Sequence, residues 1–170
     1  MSNHLIDIVD GNDTIIGTAT KDEAQEKGLA HRVVRISLED PAGNILIQKR
    51  QNDKELYPGC WDSSAAGHVD SGEVYEEAAE RELYEELGVV TSLEEVKHYP
   101  SEGKFDWRIL KRFNKLYTGV IAPETSFTLQ EDEVSDVRWV TRAELQDLLL
   151  HHPDQVADGL KEVYEILYKS

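Results

Sequence analysis

The sequence predicts a single mixed α/β domain that spans residues 1–170. The length suits one domain with a sizeable core, and 39% hydrophobic beside 31% charged residues is typical of a folded globular protein. Short runs rich in Ile and Val, bounded by Gly, Pro, Asn and Asp, favour strands. Apolar residues at helical spacing, preceded by capping residues, favour helices between and after those strands.

The first elements are expected within residues 1–30. The segment "LIDIVDGNDTIIGTA" places two apolar runs around the turn residues 10–13, which predicts a hairpin. Behind it, Thr20 and Glu23 have the spacing of a capping box, and Gly28 suits a helix end. The chain should therefore open with a β-hairpin and a short helix.

The remaining elements follow the same signals. Further strands are predicted in "HRVVRISLED" and "NILIQKR" and at 93–100, 107–121 and 134–140. Helices are predicted at 74–87, at 142–150 behind the capping pair Thr141 and Glu144, and at 154–169. The last helix is amphipathic, and its apolar face can pack on the sheet or form a homodimer contact.

Charge and composition exclude several classes of partner. A net charge of −16 argues against duplex nucleic acid and against an anionic membrane surface. No run of about 18 apolar residues predicts a membrane span, and residues 1–10 show no pattern of a secretory signal. Cys60 is the only cysteine, so no internal disulfide is expected and a cytoplasmic location is favoured. A small phosphorylated substrate stays compatible with this charge.

The helix predicted at 74–87 carries an unusual density of carboxylates. Glu82, Glu85 and Glu86 have the spacing i, i+3, i+4, which places them on one side of the helix. They also lie in the C-terminal half, where the helix dipole is negative. A solvated acidic face is the simplest interpretation of such a run. Shared position and dipole instead favour a site for a hard cation such as Mg²⁺, which prefers carboxylate oxygens.

The residues before this helix support the second interpretation. Gly67 and Gly72 allow a tight loop whose backbone can approach a ligand. Arg81 lies one turn before Glu85 and can reach back to Glu73, which would join the loop to the helix. The other helix glutamates are interpreted as a solvated face; these are Glu76, Glu77 and Glu80.

Residues 67–89 resemble the Nudix box. The match consists of Gly67, five residues, Glu73, seven residues, and then the run "RELYEELGV" that begins at Arg81. The resemblance implies a Nudix-type α/β/α sandwich with a mixed sheet, here preceded by the N-terminal hairpin. It also implies hydrolysis of a diphosphate linked to another moiety, with Mg²⁺ as cofactor and Mn²⁺ as a substitute.

The resemblance also assigns roles by position. Glu82, Glu85 and Glu86 correspond to metal ligands, and the carbonyl of Gly67 often joins them in this family. Glu73 and Arg81 correspond to residues that hold the loop against the helix. A further acidic residue lies six positions before a Trp in such proteins, and Glu133 fits that place, with its neighbours Glu131 and Asp132 as competing assignments.

Beyond the box, most of residues 5–140 is similar to the isopentenyl-diphosphate isomerase branch of the superfamily. Arg50 and Lys54 match positions that contact the diphosphate there. His31 and His68 match two metal-binding histidines of that branch, although strand-end hydrogen bonding is the simpler interpretation of both.

Two departures argue against isomerase chemistry. Ala66 stands where the isomerases have a cysteine, and Cys60 lies six residues too early to replace it. The segment "KRFNKLYTG" also offers no acid where the isomerases have a Glu-Asn-Glu motif. The sequence therefore predicts a hydrolase that cleaves a nucleoside diphosphate derivative or a similar organic pyrophosphate. An isomerase-like enzyme and a non-catalytic Nudix-fold nucleotide-binding protein are the alternatives.

In the predicted mechanism, the helix carboxylates would hold one or more Mg²⁺ ions beside the diphosphate, and the metal would supply charge neutralisation and a bound water of lowered pKa. Glu82 or Glu133 accepts the proton, while Arg50 and Lys54 hold phosphate oxygens. The substrate, the identity of the base and the number of metal ions stay open. The role of a run of five cations also stays open, because solvated strand faces explain it as well as phosphate binding does. Its members are Lys104, Arg108, Lys111, Arg112 and Lys115.

Overall fold

The computed structural model describes residues 4–169, and the expectations for residues 1–3 and 170 lie outside that range. Within it, nine strands form one sheet: β1 Leu5–Val9, β2 Ile15–Thr20, β3 His31–Glu39, β4 Ile45–Arg50, β5 Trp61–Asp62, β6 Ala65–His68, β7 Glu94–Phe105, β8 Arg108–Val120 and β9 Val134–Val140. The α-helices of the same range are α1 Lys21–Lys27, α2 Tyr75–Leu87, α3 Arg142–His151 and α4 Asp158–Leu167. None of these described helices is long and apolar enough to cross a membrane.

Strand β3 is the centre of the sheet. It pairs in parallel with β8 along its whole length, from His31 opposite Arg112 to Glu39 opposite Val120. Its other edge is shared by three strands: β1 pairs at His31, β6 pairs with the middle residues 33–36, and β4 pairs with the last two residues. Strand β4 continues outward to β5 and β9. The sheet therefore extends from β3 in two directions, through β8 to β7 on one side and through β4 to β5 and β9 on the other.

Helices cover both faces of the sheet. Alternate residues of β3, among them Val34 and Ile36, join Leu83 and Leu87 of α2 in one apolar cluster. A second cluster lies on the other side and joins β4 and β8 to α3 and α4; its fully buried members include Ile47, Leu116, Leu145, Leu160 and Val163. Two cores on either side of one mixed sheet confirm the α/β/α sandwich predicted from the sequence.

The N-terminal hairpin and helix are also present as expected. Strands β1 and β2 pair antiparallel, and the Thr20 hydroxyl accepts a hydrogen bond from the Glu23 N–H at the start of α1. Gly28 ends that helix with φ of 68°, a left-handed conformation that glycine adopts without strain. The predicted pair of Thr141 and Glu144 forms a complete capping box on α3.

The C-terminal helix begins later than the predicted residue 154. Residues Pro153–Gln155 form a 3₁₀ turn, and α4 starts only at Asp158. Val156 between them is extended and buried, and it bridges to Trp61 of β5, while the Ala157 N–H donates to the Trp61 carbonyl. The prediction of helix from 154 was wrong because this long-range pairing takes the backbone groups that a helix would need.

Candidate active site

The candidate site is built on helix α2 and the loop before it. Ala79, Leu83 and Leu87 are buried against the sheet, which fixes the rotation of the helix about its axis. With that face inward, Glu82 and Glu86 point along the edge of the core rather than into bulk solvent. Gly88 ends the helix with φ of 70°. The helix register therefore decides which glutamates face the site.

Arg81 organises the carboxylates around it. Its Nε and Nη2 donate to both oxygens of Glu73 at 2.8 and 2.9 Å, and Nη2 also donates to the His68 carbonyl at 3.0 Å. Its Nη1 donates to Glu82 Oε1 at 2.9 Å and to Glu85 Oε2 at 3.2 Å. These bonds raise the pKa of Arg81 above its ordinary range, with Glu73 as the largest cause. One guanidinium thus joins the loop to two glutamates of the helix.

Glu73 is the anchor on the loop side. Besides the Arg81 fork, its Oε1 accepts the Asp70 N–H at 3.1 Å. Burial acts to raise the pKa of Glu73, but the bonds from Arg81 and from the backbone outweigh it, so that the pKa is lowered. Glu73 is therefore ionised and held, and it does not line the cavity itself.

Glu82 and Glu86 are enclosed carboxylates one helical turn apart, which we call the buried pair, although Glu82 is only partly buried. Glu86 is 6% exposed, and its Oε1 accepts a 2.6 Å hydrogen bond from Gln48 Nε2 of β4. Burial, followed by the charge of Glu82, raises the pKa of Glu86 well above its usual range. Burial also raises the pKa of Glu82, although Glu86 and Arg81 act in the opposite direction. Ionised, this pair requires a counter-charge beyond the one that Arg81 supplies.

Gly67 of β6 faces the same pair. A Cβ atom at this position would overlap the carboxylate of Glu82, so that any larger residue would displace that carboxylate from its present place. The sequence-predicted ligand Gly67 therefore lies beside Glu82.

Two further acidic residues differ from the buried pair. The Glu85 side chain is 47% exposed and forms an ion pair with Arg81. Glu133 lies in the loop before β9, and its Oε2 accepts a 2.6 Å hydrogen bond from Lys54 Nζ. The structure thus brings Glu133 to the site but binds it to the lysine that was expected to hold phosphate.

The donor set of this site fits a hard divalent cation. Within residues 4–169 no three His, Cys, Asp or Glu side chains converge as a preformed metal cluster, since Arg81 holds Glu82 and Glu85. The groups present are nevertheless carboxylate and carbonyl oxygens, which Mg²⁺ prefers. The raised pKa values of Glu82 and Glu86 show that burial leaves their charge incompletely balanced. A cation at the pair would supply that balance.

A cavity of about 750 Å³ connects these groups. We call the part lined by Gly67, Arg81, Glu82, Glu85 and Glu86 the box end. Arg50, Lys54 and Glu133 line the cavity too, so that, apart from Glu73, every site residue expected from the sequence borders one space. The guanidinium of Arg50 is oriented by the Leu56 carbonyl at 2.9 Å and by Asp62 at 3.4 Å. The volume is sufficient for a small organic ligand.

His31 and His68 stack on each other beside this cavity. Their ring centroids lie 5.2 Å apart, and His31 Nδ1 is 2.9 Å from the Leu29 carbonyl at the start of β3. Burial lowers the pKa of His31 to about 4, and burial together with the charge of His31 lowers that of His68. Both rings are therefore neutral at pH 7.

The run of cations from 104 to 115 does not form one surface. Lys104 and Lys111 are exposed, as expected for solvated strand faces. Arg108 is buried, stacks on Trp107 and donates to Gln25 and Glu55. Arg112 turns inward and lines the cavity.

Sequence reasoning missed two polar groups of the site, one of which lines the cavity and one of which holds Glu86. Gln48, which holds Glu86, and Arg35, which lines the cavity, are polar residues inside the apolar runs of β4 and β3. A buried strand seldom carries such residues without a partner, so that this break in the pattern was the available signal.

Comparison with known proteins identifies relatives of this arrangement. Residues 29–164 match the NUDIX domain family. The chain is 37% identical over 144 residues to the Nudix hydrolase lmo0368 of Listeria monocytogenes, with 84% of this chain and 82% of the relative covered. It is 32% identical over 162 residues to isopentenyl-diphosphate Delta-isomerase 2 of Photorhabdus laumondii, with 95% and 90% covered. Among solved structures, DR0079 from Deinococcus radiodurans shares the fold with a TM-score of 0.79 at 24% identity, over 97% of this chain and 99% of that chain.

Proposed function

The chain belongs to the Nudix hydrolase family, and on this premise we propose that it is a Mg²⁺-dependent enzyme that cleaves a diphosphate bond. The substrate would be a nucleoside diphosphate derivative or a similar organic pyrophosphate. One observation carries the proposal: a single cavity is lined by the buried carboxylates Glu82 and Glu86 and by the cations Arg50 and Lys54. Carboxylates suit a metal ion and cations suit phosphate oxygens, and hydrolysis of a diphosphate requires both.

The proposed cofactor site consists of Glu82, Glu85, Glu86 and the Gly67 carbonyl. Mg²⁺, or Mn²⁺ in its place, would neutralise phosphate charge and lower the pKa of a bound water. Arg81 would keep Glu82 and Glu85 oriented towards the cavity through the bonds it already makes.

The cations of the cavity would hold the substrate. Arg50 is oriented by Leu56 and Asp62, so that little side-chain entropy remains to be lost when it binds a phosphate oxygen. Lys54 has a carboxylate partner in Glu133 and would exchange it for phosphate. That exchange would free Glu133 to accept a proton, and Glu82 is the second carboxylate placed to do so.

Isomerase activity is the second candidate, because one relative is an isopentenyl-diphosphate Delta-isomerase. The surroundings of Ala66 argue against it. Ala66 has no acidic group, and the nearby cavity lining includes Arg35 and Arg112. Cys60 donates to the Asp154 carbonyl at 3.6 Å and lies outside the described lining of the cavity. The lining therefore has carboxylates but lacks the cysteine that the isomerase branch has at position 66.

A product-resolved screen tests the proposal. Diphosphate compounds, including nucleoside diphosphate derivatives and isopentenyl diphosphate, are incubated with Mg²⁺ or Mn²⁺, and phosphate release and organic products are both measured. Metal-dependent hydrolysis that is lost in Glu85→Gln is the expected result. Isomerised product without phosphate release would support the second candidate. Inactivity over the whole panel, with ligands still bound, would indicate a binding protein and overturn the proposal.

A further inference from the structure

The cavity reaches the sheet face opposite helix α2. Strand β3 alternates, so that Val34 packs under α2 while Val33 and Arg35 face the other way. Strand β8 places Arg112 beside His31 in the parallel ladder. We call the part of the cavity lined by Arg35, Tyr57 and Arg112 the arginine end.

Arg112 has no counter-ion of its own. Its side chain is largely buried, and its Nε atom is closed off from solvent without a hydrogen-bond partner. Across residues 4–169, no carboxylate lies within ion-pairing distance of its guanidinium; the shortest ion pairs of this region belong to other cations. Burial, and then the charge of Arg35, lower the pKa of Arg112 to about 10. The charges of Glu162 and Asp62 act in the opposite direction, but neither carboxylate is within ion-pairing distance, so Arg112 stays open to a further anion.

Arg35 is only partly satisfied. It is 3% exposed, and its Nε donates to Asn114 Oδ1 at 3.2 Å. Its Nη2 makes no hydrogen bond and lies 3.8 Å from Glu162 Oε2. Glu162, one of whose carboxylate oxygens has no hydrogen-bond partner, is therefore loosely placed beside Arg35 and outside ion-pairing distance of Arg112.

The other acids of the region are engaged elsewhere. Asp62 accepts the Ser63 N–H at 2.8 Å and pairs with Arg50 at 3.4 Å. Asp158 lies 3.7 Å from Lys161, and its charge helps to raise the pKa of Tyr57, after burial as the largest cause. These partners leave the unused N–H donors of Arg35 and Arg112 to a ligand.

We propose that the arginine end is an oxyanion subsite, in which Arg35 and Arg112 bind a phosphate or carboxylate group. The planar forks of two guanidinium groups match the oxygens of such an anion. Because the arginine end and the box end belong to one cavity, the anion is a second acidic group of the substrate, remote from the diphosphate. This substrate assignment rests on the proposed function, whereas the oxyanion subsite itself does not.

Binding of inorganic phosphate to the metal-free protein tests the subsite without any catalysis. Calorimetric titration in the presence of EDTA should show saturable binding to the wild type at about 1 mM or below. Arg112→Gln should weaken it about tenfold or more, because a charge-assisted contact is lost. Lys111→Gln removes the same charge from an exposed neighbour on β8 and should leave binding unchanged. Equal binding by wild type and Arg112→Gln, or no binding at all, overturns the subsite.

A second variant protects this test against misfolding. A Cβ atom at Gly159 would overlap the Arg35 guanidinium, so that Gly159→Ala displaces Arg35 without a change in charge. It should weaken phosphate binding to a similar extent while circular dichroism confirms the fold. If only Arg50→Gln weakens binding, phosphate occupies the other part of the cavity and the subsite is refuted.

Turnover then identifies the source of the anion. For a diphosphate compound with a distal phosphate, Arg112→Gln should reduce kcat/KM about tenfold, and for the same compound without that phosphate it should have no effect. Equal effects on both compounds refute the substrate assignment and leave free phosphate as the ligand. Phosphate binding without hydrolysis of any compound would keep the subsite and reject the proposed function, so that the two failures are distinct.

Discussion

The two ends of the cavity hold buried charge in opposite ways. At the box end, Arg81 binds Glu73, Glu82 and Glu85, and Lys54 binds Glu133 nearby, so that the chain supplies most of the counter-charge itself. At the arginine end, Arg112 has no such partner among the described residues. The difference teaches that the acidic end is held in shape by cations of its own chain, although Glu82 and Glu86 still lack a full counter-charge. The basic end has no carboxylate within ion-pairing distance of Arg112 among residues 4–169.

The largest expected effect lies at the box end. Glu82→Gln should reduce metal-dependent kcat/KM by about 100-fold or more, because an oxygen ligand and a candidate proton acceptor are lost together. Burial already disfavours the ionised form of Glu82, so the neutral amide should keep the protein folded. Steady-state phosphate release at saturating Mg²⁺ measures the effect.

The matched control is Glu77→Gln. Glu77 lies in the first turn of the same helix and is exposed, so its substitution should change kcat/KM less than about twofold. Equal losses in both variants would mean that overall helix charge, rather than the buried pair, is what the reaction requires.

A smaller effect on stability is expected beside the arginine end. The pKa of His31 is about 4 in the folded protein and about 6.5 in an unfolded chain. Between these values the unfolded chain binds a proton that the folded protein rejects, so stability falls as the pH falls. From pH 7 to pH 5 the free energy of unfolding should drop by about 2 kcal/mol through His31 alone.

Urea unfolding of wild type and His31→Gln over this pH range measures that contribution as a difference in slope. His152→Gln is the control, because His152 is exposed after the end of α3 and its substitution should not reproduce that difference. Parallel slopes for wild type and His31→Gln would show that the buried imidazole titrates normally, contrary to the enclosed environment described here.

The same contrast explains what the sequence could predict. Gly67, Glu73, Arg81 and the helix glutamates follow one another at fixed spacing on one loop and one helix, so local geometry was enough to group them. Arg35 and Arg112 are distant in sequence and meet only because β8 pairs with β3 in parallel. Gln48 reaches Glu86 through a contact between β4 and α2 that no local pattern encodes.

Long-range contacts also limited how accurately the ends of helices could be predicted. The start of α4 was predicted too early because Val156 and Ala157 pair with Trp61, which is almost a hundred residues away. Nothing in the sequence of residues 153–157 indicates that contact. The N-terminal hairpin and both capping residues, Thr20 and Thr141, depend on nearby residues and were predicted correctly. Local geometry could therefore be predicted from the sequence, whereas the long-range pairings were found only in the structure.

The central claim is that the buried pair of Glu82 and Glu86 binds a divalent cation. Calorimetric titration of Mg²⁺ in buffers of different ionisation enthalpy tests it directly. We expect saturable binding that releases protons, since burial raises the pKa of Glu86 before the metal arrives. Glu86→Gln should weaken binding at least tenfold, by about 1.4 kcal/mol or more, and Glu77→Gln should not. Equal Mg²⁺ affinity in wild type and Glu86→Gln, or no binding to the wild type, would contradict the claim.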